Sequence, residues 1–300
     1  MTAAVATAAA GAVAAPAAGT SLWRDAWRRL RRNRMAVASG VVLLLVGAVT
    51  LLAPVLPGVG DPELQDLRLG AAPPSPAHPF GTDLLGRDLL ARVLHGGRIS
   101  ILVGLVATLV SFMVGVSYGA VAGYFGGRVD EILMRIVDVL YSLPYMFLVI
   151  LLMVYFSRSI VMLFVALGLV QWLTMARIVR GQVLSLKQQE FVEAAHSIGT
   201  GHLAIIFRHV VPNALGPIIV YATLTVPAVM LQEAFLSFLG LGVQPPQASW
   251  GTLVNDGASV LAFFPWLALF PGLALALTLF CLNFLGDGLR DALDPHLRHD

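Results

Sequence analysis

Chemistry in this chain would have to come from very few side chains. Its only lysine is Lys187, in the run SLKQQEF, and no glycine framework precedes it. A nucleotide-binding P-loop reads G-x-x-x-x-G-K-[ST], because its lysine must reach the terminal phosphates. The chain therefore cannot bind ATP through that motif. H-E-x-x-H, paired cysteines, G-x-S-x-G and a G-x-G-x-x-G opening a helix after a strand are all missing. The seven histidines (His78, His95, His196, His202, His209, His296 and His299) are scattered among loops and the C-terminal end. His202 and His209 would share a helix face, but without carboxylate or thiol company they read as a polar face and not a metal site. The single cysteine, Cys281, lies in an apolar run, excludes an internal disulfide, and reads as a small buried hydrophobe. Two carboxylates, Asp138 and Glu233, fall near the ends of apolar runs. A charge at the bilayer centre is costly, so such end positions favour snorkelling or capping over a proton relay. Glu233 is the candidate outer-gate or pore-lining side chain.

The stretch EFVEAAHSIGTGHLAIIFRHVVPN, residues 190–213, is polar, yet it lies between two long apolar runs. It reads as two short helices joined at SIGTG, where Gly199 and Gly201 supply the permissive backbone for a tight turn. Glu193, Ala194 and Ala195 form a small, close-approach surface on the first helix. Ile205, Ile206, Phe207, Val210 and Val211 give the second an apolar stripe, and Pro212 is expected to end it where the next apolar run begins. An amphipathic hairpin too polar to insert in lipid suits docking into a groove of a soluble partner. A merely solvated loop would not need so many exposed apolar residues.

The elements around the hairpin are set by composition. The 300 residues are 58% hydrophobic and 12% charged, about half the charge of an average globular chain, and the mean hydropathy is +0.82. Apolar runs long enough to span a bilayer, roughly 20 residues each, occur at 35–56, 99–123, 136–156, 160–179, 213–233 and 263–284. The fold class is therefore an all-α integral membrane protein with six transmembrane helices. Six arginines against one aspartate in SLWRDAWRRLRRNR hold the first span with its N-terminal side in the cytoplasm. A twin-arginine export signal is the competing reading of that cluster; the strength of the apolar run and the five further spans weigh against it. Six spans return the C-terminus to the cytoplasm.

This topology divides the chain into parts. Residues 1–34 form a cytoplasmic tail, of which the uncharged, Ala-rich 1–20 is expected to be disordered. Residues 57–98 form an external loop, 99–288 a five-helix domain interrupted by the cytoplasmic loop 185–212, and 289–300 a cytoplasmic tail. Basic residues then cluster inside (Arg128, Arg135, Arg177, Arg180, Lys187, Arg208, Arg290 and Arg298), while Asp61, Glu63, Asp66, Asp83, Asp88 and Asp256 lie outside with Arg68, Arg87, Arg92, Arg98 and Arg158. The net charge of +2 is too small to suggest a nucleic-acid partner. Within the external loop, GTDLLGRDLLARVLHGGR predicts a short surface helix capped by Asp83. Gly115, Gly119 and Gly123, four apart, predict a close helix–helix seam. Pro144, Pro217 and Pro227 predict kinks within spans.

The polar insert resembles the EAA loop of bacterial ABC-importer permeases, E-A-A-x-x-x-G followed further on by a hydrophobic–Pro pair, here Glu193, Ala194, Ala195, Gly199, Val211 and Pro212. FGTDLLGRDLLARVLHGGRIS, MARIVRGQVLSLKQQEF, EAFLSFLGLG and FCLNFLGDGLRDALDP extend the likeness to the peptide/nickel branch, most nearly its oligopeptide C-type subunits, across nearly everything after residue 20. That resemblance implies a type I ABC-importer permease fold and a bacterial cytoplasmic-membrane location. It also implies a homologous second permease, two ATPase subunits that bind the ATP, and an external peptide-binding protein. The insert would be the coupling helix, with Arg208 and Glu193 as candidate polar contacts to an ATPase subunit. Dipeptides and nickel chelates are the alternative substrates within the branch. An ion-coupled carrier would be expected to need mid-membrane ionisable or discontinuous-helix sites, and a membrane enzyme a convergent polar constellation; the sequence offers little of the first and none of the second.

Overall fold

The computed structural model describes residues 22–156 and 159–293. The tail 1–20, Arg158 and Arg298 lie outside the described residues. The chain is all-α: among the described residues the sole β feature is an isolated bridge between Thr82 and Asp88.

An arginine-rich helix α1 (Leu22–Arg32) turns at Asn33 into α2 (Arg34–Leu52), which a short 3-10 turn extends to Val55. Asn33 caps α2 by accepting the Ala36 N–H at 3.1 Å, satisfying one of the donors a helix start leaves bare. Both helices lie against α11 (Trp266–Leu293). Gly288 makes this possible, since a Cβ there would collide with Ala36.

The second span is longer than the apolar run predicted. α3 covers Leu89–Phe125 and begins at Asp88, whose carboxylate accepts the Ala91 N–H at 2.8 Å. The separate surface helix expected before it does not exist. Asp83, expected as its cap, instead holds a turn by accepting the N–H groups of Leu85 and Arg87 and pairing with the Arg87 guanidinium at 2.6 Å. The alternating pattern was the first three turns of the span itself, half-covered by the loop. That loop is fixed by Thr82, whose hydroxyl donates to Gly70 O at 2.7 Å and accepts from Ala72 N at 2.8 Å, and by Phe80 stacked on Phe270 at 4.1 Å.

The central packing is α3 against α6 (Ile160–Leu186). The three glycines predicted as a seam face it: a Cβ on Gly115 would meet Met175 at 2.6 Å, one on Gly123 the Arg180 carbonyl at 2.9 Å, and one on Gly119 would strike the Ala176 backbone. Helices in lipid lack a hydrophobic drive between them, so close backbone approach supplies the attraction.

Between α3 and α6 the expected third span is broken. α4 (Gly127–Ser142) and α5 (Tyr145–Phe156) meet at 81° across Leu143–Pro144. Pro144 thus ends one helix and starts another, where a kink was expected, because it cannot donate and its ring disfavours helical backbone at Leu143. Among the described residues, five helices are long and apolar enough to cross a membrane, and the bent pair makes a sixth if counted as one span. Pro217 and Pro227 lie inside the continuous α9 (Val211–Phe238), and Pro271 inside α11.

A short helix, α10 (Trp250–Ala258), packs over the start of α3. It is stapled to α3 by the Trp250 indole N–H donating to Val93 O at 2.8 Å and its backbone N–H donating to Ser100 Oγ at 3.0 Å. Leu44, Leu51, Leu105, Leu109, Leu151 and Phe280 are exposed, as lipid-facing side chains must be.

Candidate functional site

The polar stretch folds as a hairpin between α6 and α9. α7 (Glu190–Ser197) ends at Ile198, and Gly199 turns the chain with φ +78°, a left-handed conformation that favours glycine. Gly201 sits at φ −65°, so only Gly199 requires its residue type. The second arm starts as α8 (His202–Ala204) and continues as a six-residue π turn, Ile205–Val210, directly into α9. Pro212, expected to end the arm, instead occupies the first turn of α9, where its missing N–H costs least. Residues His202–Phe238 therefore form one apolar rod, about 55 Å long at 1.5 Å per residue.

The hairpin has two faces. Val192, Ala195, Ile205, Ile206 and Val210 are buried, packed on Val116, Ala120, Met175, Val179 and Val183. Ala195 therefore faces inward and does not share the outer surface with Glu193 and Ala194; the apolar stripe likewise splits, with Phe207 outward. The outer face carries Glu193, Ala194, Gly199, Arg208 and Pro212, all exposed, with Ile198 at 82%, Leu203 at 63% and Phe207 at 47% exposure. Neither Glu193 nor Arg208 has an ion-pair partner among the described residues.

The hairpin is tied to the membrane helices by a cluster that sequence reasoning missed. The Tyr124 hydroxyl, at the end of α3, lies 2.9 Å from His196 Nε2 on α7 and 3.0 Å from His202 Nδ1 on α8. Lys187 donates to the Gly123 carbonyl at 2.9 Å, covering the bare carbonyl end of α3. His202 thus pairs across the hairpin with His196, not along it with His209. No spacing rule joins positions so far apart in the chain. Arg180 binds Asp130 of α4 through Nε at 2.5 Å and Nη2 at 2.6 Å, and Arg177 binds Asp138 at 2.7 Å.

Glu233 lies at the other end. It does not snorkel. Its side chain is fully buried, and Oε1 accepts from Ser237 Oγ at 2.6 Å and from Ser249 Oγ at 2.7 Å. Ser249 also caps α10, so the carboxyl group joins the end of α9 to the start of α10.

The hairpin is thus exposed, has an apolar tip and runs continuously into a spanning rod. Residues 115–299 match the family described as "Binding-protein-dependent transport system inner membrane component". The chain belongs to that family. It is a transmembrane permease of an ABC importer, with the type I permease fold, and it is a multi-pass membrane protein. Residues 21–74 match a second description, "N-terminal TM domain of oligopeptide transport permease C". The permease is 54% identical over 278 residues to the oligopeptide transport system permease protein OppC of Escherichia coli strain K12, covering 92% of each chain. It is 46% identical to the protein of the same name from Bacillus subtilis strain 168, over 93% of this chain and 91% of the relative. A dipeptide transport system permease protein, DppC of Bacillus subtilis strain 168, is 49% identical over 93% of this chain and 87% of its own.

Proposed function

We propose that this permease is the C-type half of an oligopeptide importer of the bacterial cytoplasmic membrane. In this reading it pairs with a homologous second permease, and the two enclose the translocation path. Two separate ATPase subunits bind the ATP, and the permease contributes no nucleotide site and no catalysis of its own. An external binding protein delivers peptide. Both termini and the hairpin face the cytoplasm.

The observation that carries this reading is the hairpin's outer face: Ile198, Leu203 and Phe207 exposed beside the unpaired Glu193 and Arg208. Large apolar groups beside charged ones at a tip match the requirements of a helix seated in a groove of a soluble subunit. When the ATPase subunits close on ATP, the hairpin follows. Because its second arm is the start of the spanning rod, that motion reaches the membrane without an intervening joint. A bulky, charged replacement at Gly199 should therefore uncouple hydrolysis from transport.

The relatives named for oligopeptides and the one named for dipeptides span a similar range of identity, so dipeptide transport is the second reading. Purifying the tagged permease in mild detergent and measuring uptake by the recovered complex in vesicles tests both. Recovery of a second permease and ATPase subunits with ATP-dependent peptide uptake is expected, and competition by peptides of graded length separates the two substrates. Transport by the permease alone without ATP, or normal uptake by Gly199→Asp in an intact complex, would refute the coupling role.

A further inference from the structure

Resting on the importer reading and extending it, we propose that the groove at the α4–α5 break holds the backbone of the passing peptide, using neutral amides and hydroxyls in place of charges. The groove has a volume of about 390 Å³ and is lined by the break itself together with Tyr141, Ser142, Tyr145, Gln171, Thr174 and Gln232. That volume falls within the size range of small-ligand sites.

Its depth is fixed by the helices. Gln171 lies about 16 Å along α6 from Ile160, well inside a rod of 27 residues. Irregular backbone at such depth is tolerated only where it is buried in protein or lines a water-filled cavity. Leu143 and Pro144 are exposed in this chain, so the break is not buried within the permease itself, and in the proposed importer it lies on the path that the two permeases enclose. A helix that stops there leaves last-turn carbonyls without helical donors. Ser142 Oγ takes one of them, Val139 O, at 2.7 Å. Interrupted helices of this kind build the substrate sites of many transporters.

The lining is half apolar, with Leu140, Leu148, Val170 and Leu173, and its polar half carries no charge: no lysine, arginine, aspartate or glutamate lines the groove. Gln171 Nε2 donates to Gln232 Oε1 at 3.4 Å, a long bond that leaves most of the hydrogen-bonding capacity of the two amides free. Arg177, with its guanidinium 4.2 Å over the Tyr141 ring, is neutralised by Asp138 at 2.7 Å. Every peptide offers the same N–H and C=O pattern whatever its side chains. Amides and hydroxyls can serve both partners in turn, whereas a fixed charge would favour some sequences and retain them.

The test uses the whole importer complex in vesicles. The native Cys281 is buried, so single cysteines can be read against a quiet background. Thr174→Cys and Gln232→Cys should react with a polar thiol reagent about tenfold faster than Leu44→Cys on the exposed face of α2, because thiolate chemistry needs water. Saturating peptide should slow that labelling, and the adduct should stop import while ATP hydrolysis continues. Separately, Gln232→Ala should raise the KM for peptide about five- to tenfold, the loss of one to two weak hydrogen bonds, with kcat and complex assembly unchanged. Labelling no faster than at Leu44→Cys, absence of peptide protection, or an unchanged KM overturns the groove. If the unmodified complex imports no peptide at all, the importer reading itself fails, and the two failures are distinct.

Discussion

Replacing Leu203 by alanine separates the permease's own folding from its grip on an ATPase subunit. Leu203 is 63% exposed at the hairpin tip, so little is lost within the permease, and its stability should fall by no more than about 0.7 kcal/mol. Full burial of a leucine side chain is worth about 2 kcal/mol. The exposed share leaves about 1.3 kcal/mol for a partner to gain, and at 1.4 kcal/mol per tenfold that is about a ninefold weaker complex. Ile205, two residues on, is fully buried, and Ile205→Ala should do the reverse, destabilising the permease by about 2–5 kcal/mol. The assay measures ATPase-subunit affinity for the permease pair in lipid discs, beside its thermal midpoint. If Leu203→Ala binds the ATPase within twofold of wild type, the outer face is not the docking face. If it lowers the thermal midpoint as Ile205→Ala does, the division into two faces is wrong.

Other outcomes follow from single contacts. Gly199→Ala should cost about 1 kcal/mol, from left-handed backbone alone, because a Cβ there meets nothing within 4 Å; Gly201→Ala, at φ −65° with equal room, should be neutral in the same thermal melt. Tyr124→Phe removes the hydroxyl between His196 and His202, so amide exchange across 190–204 should rise about fivefold, for about 1 kcal/mol of lost anchoring.

The all-α class, the spans and the glycine seam were legible in the sequence because each rests on a one-dimensional signal: apolar length, or small residues four apart. Boundaries were less legible. The α3 start was missed because its first turns alternate polar and apolar under cover of the loop, which mimics a surface helix. The break at Pro144 and the continuity at Pro212 carry the same local signal, a proline at a helix end. What differs is position: Pro212 stands in a first turn, where no donor is needed, and Pro144 follows a completed helix. The hairpin was legible as a hairpin, but its two faces were not. The faces depend on where Val116, Met175 and Val179 stand, and those belong to other helices. The buried pairing of Glu233 was not legible, because the serines that hold it lie four and sixteen residues on and only the turn into α10 brings Ser249 back.

What moves with the hairpin is decided by the kind of contact on each side of it. Towards α3 and α6 the contacts are interlocked: buried aliphatic side chains, the Lys187 bonds to the α3 end, and a glycine seam with no space for a methyl group. Packed interfaces of that type are bistable, not elastic, and tend to travel as bodies. Towards α4 the contacts are mixed: Val137, Met134 and Leu140 pack on Trp172, Leu173 and Ala176, beside the pairs of Arg180 with Asp130 and Arg177 with Asp138 and the Tyr118 hydroxyl donating to Leu133 O at 2.9 Å. Polar pairs can exchange partners with water at small net cost. In the proposed importer, a force applied at Leu203 would turn α3, α6 and α9 together against α4. The far end of α4 is the 81° break, so the displacement would reach the groove that Gln171 and Gln232 line from α6 and α9 and Tyr141 and Ser142 from α4. Coupling and passage would then need no separate hinge, because the helix that ends at the break carries one wall of the groove.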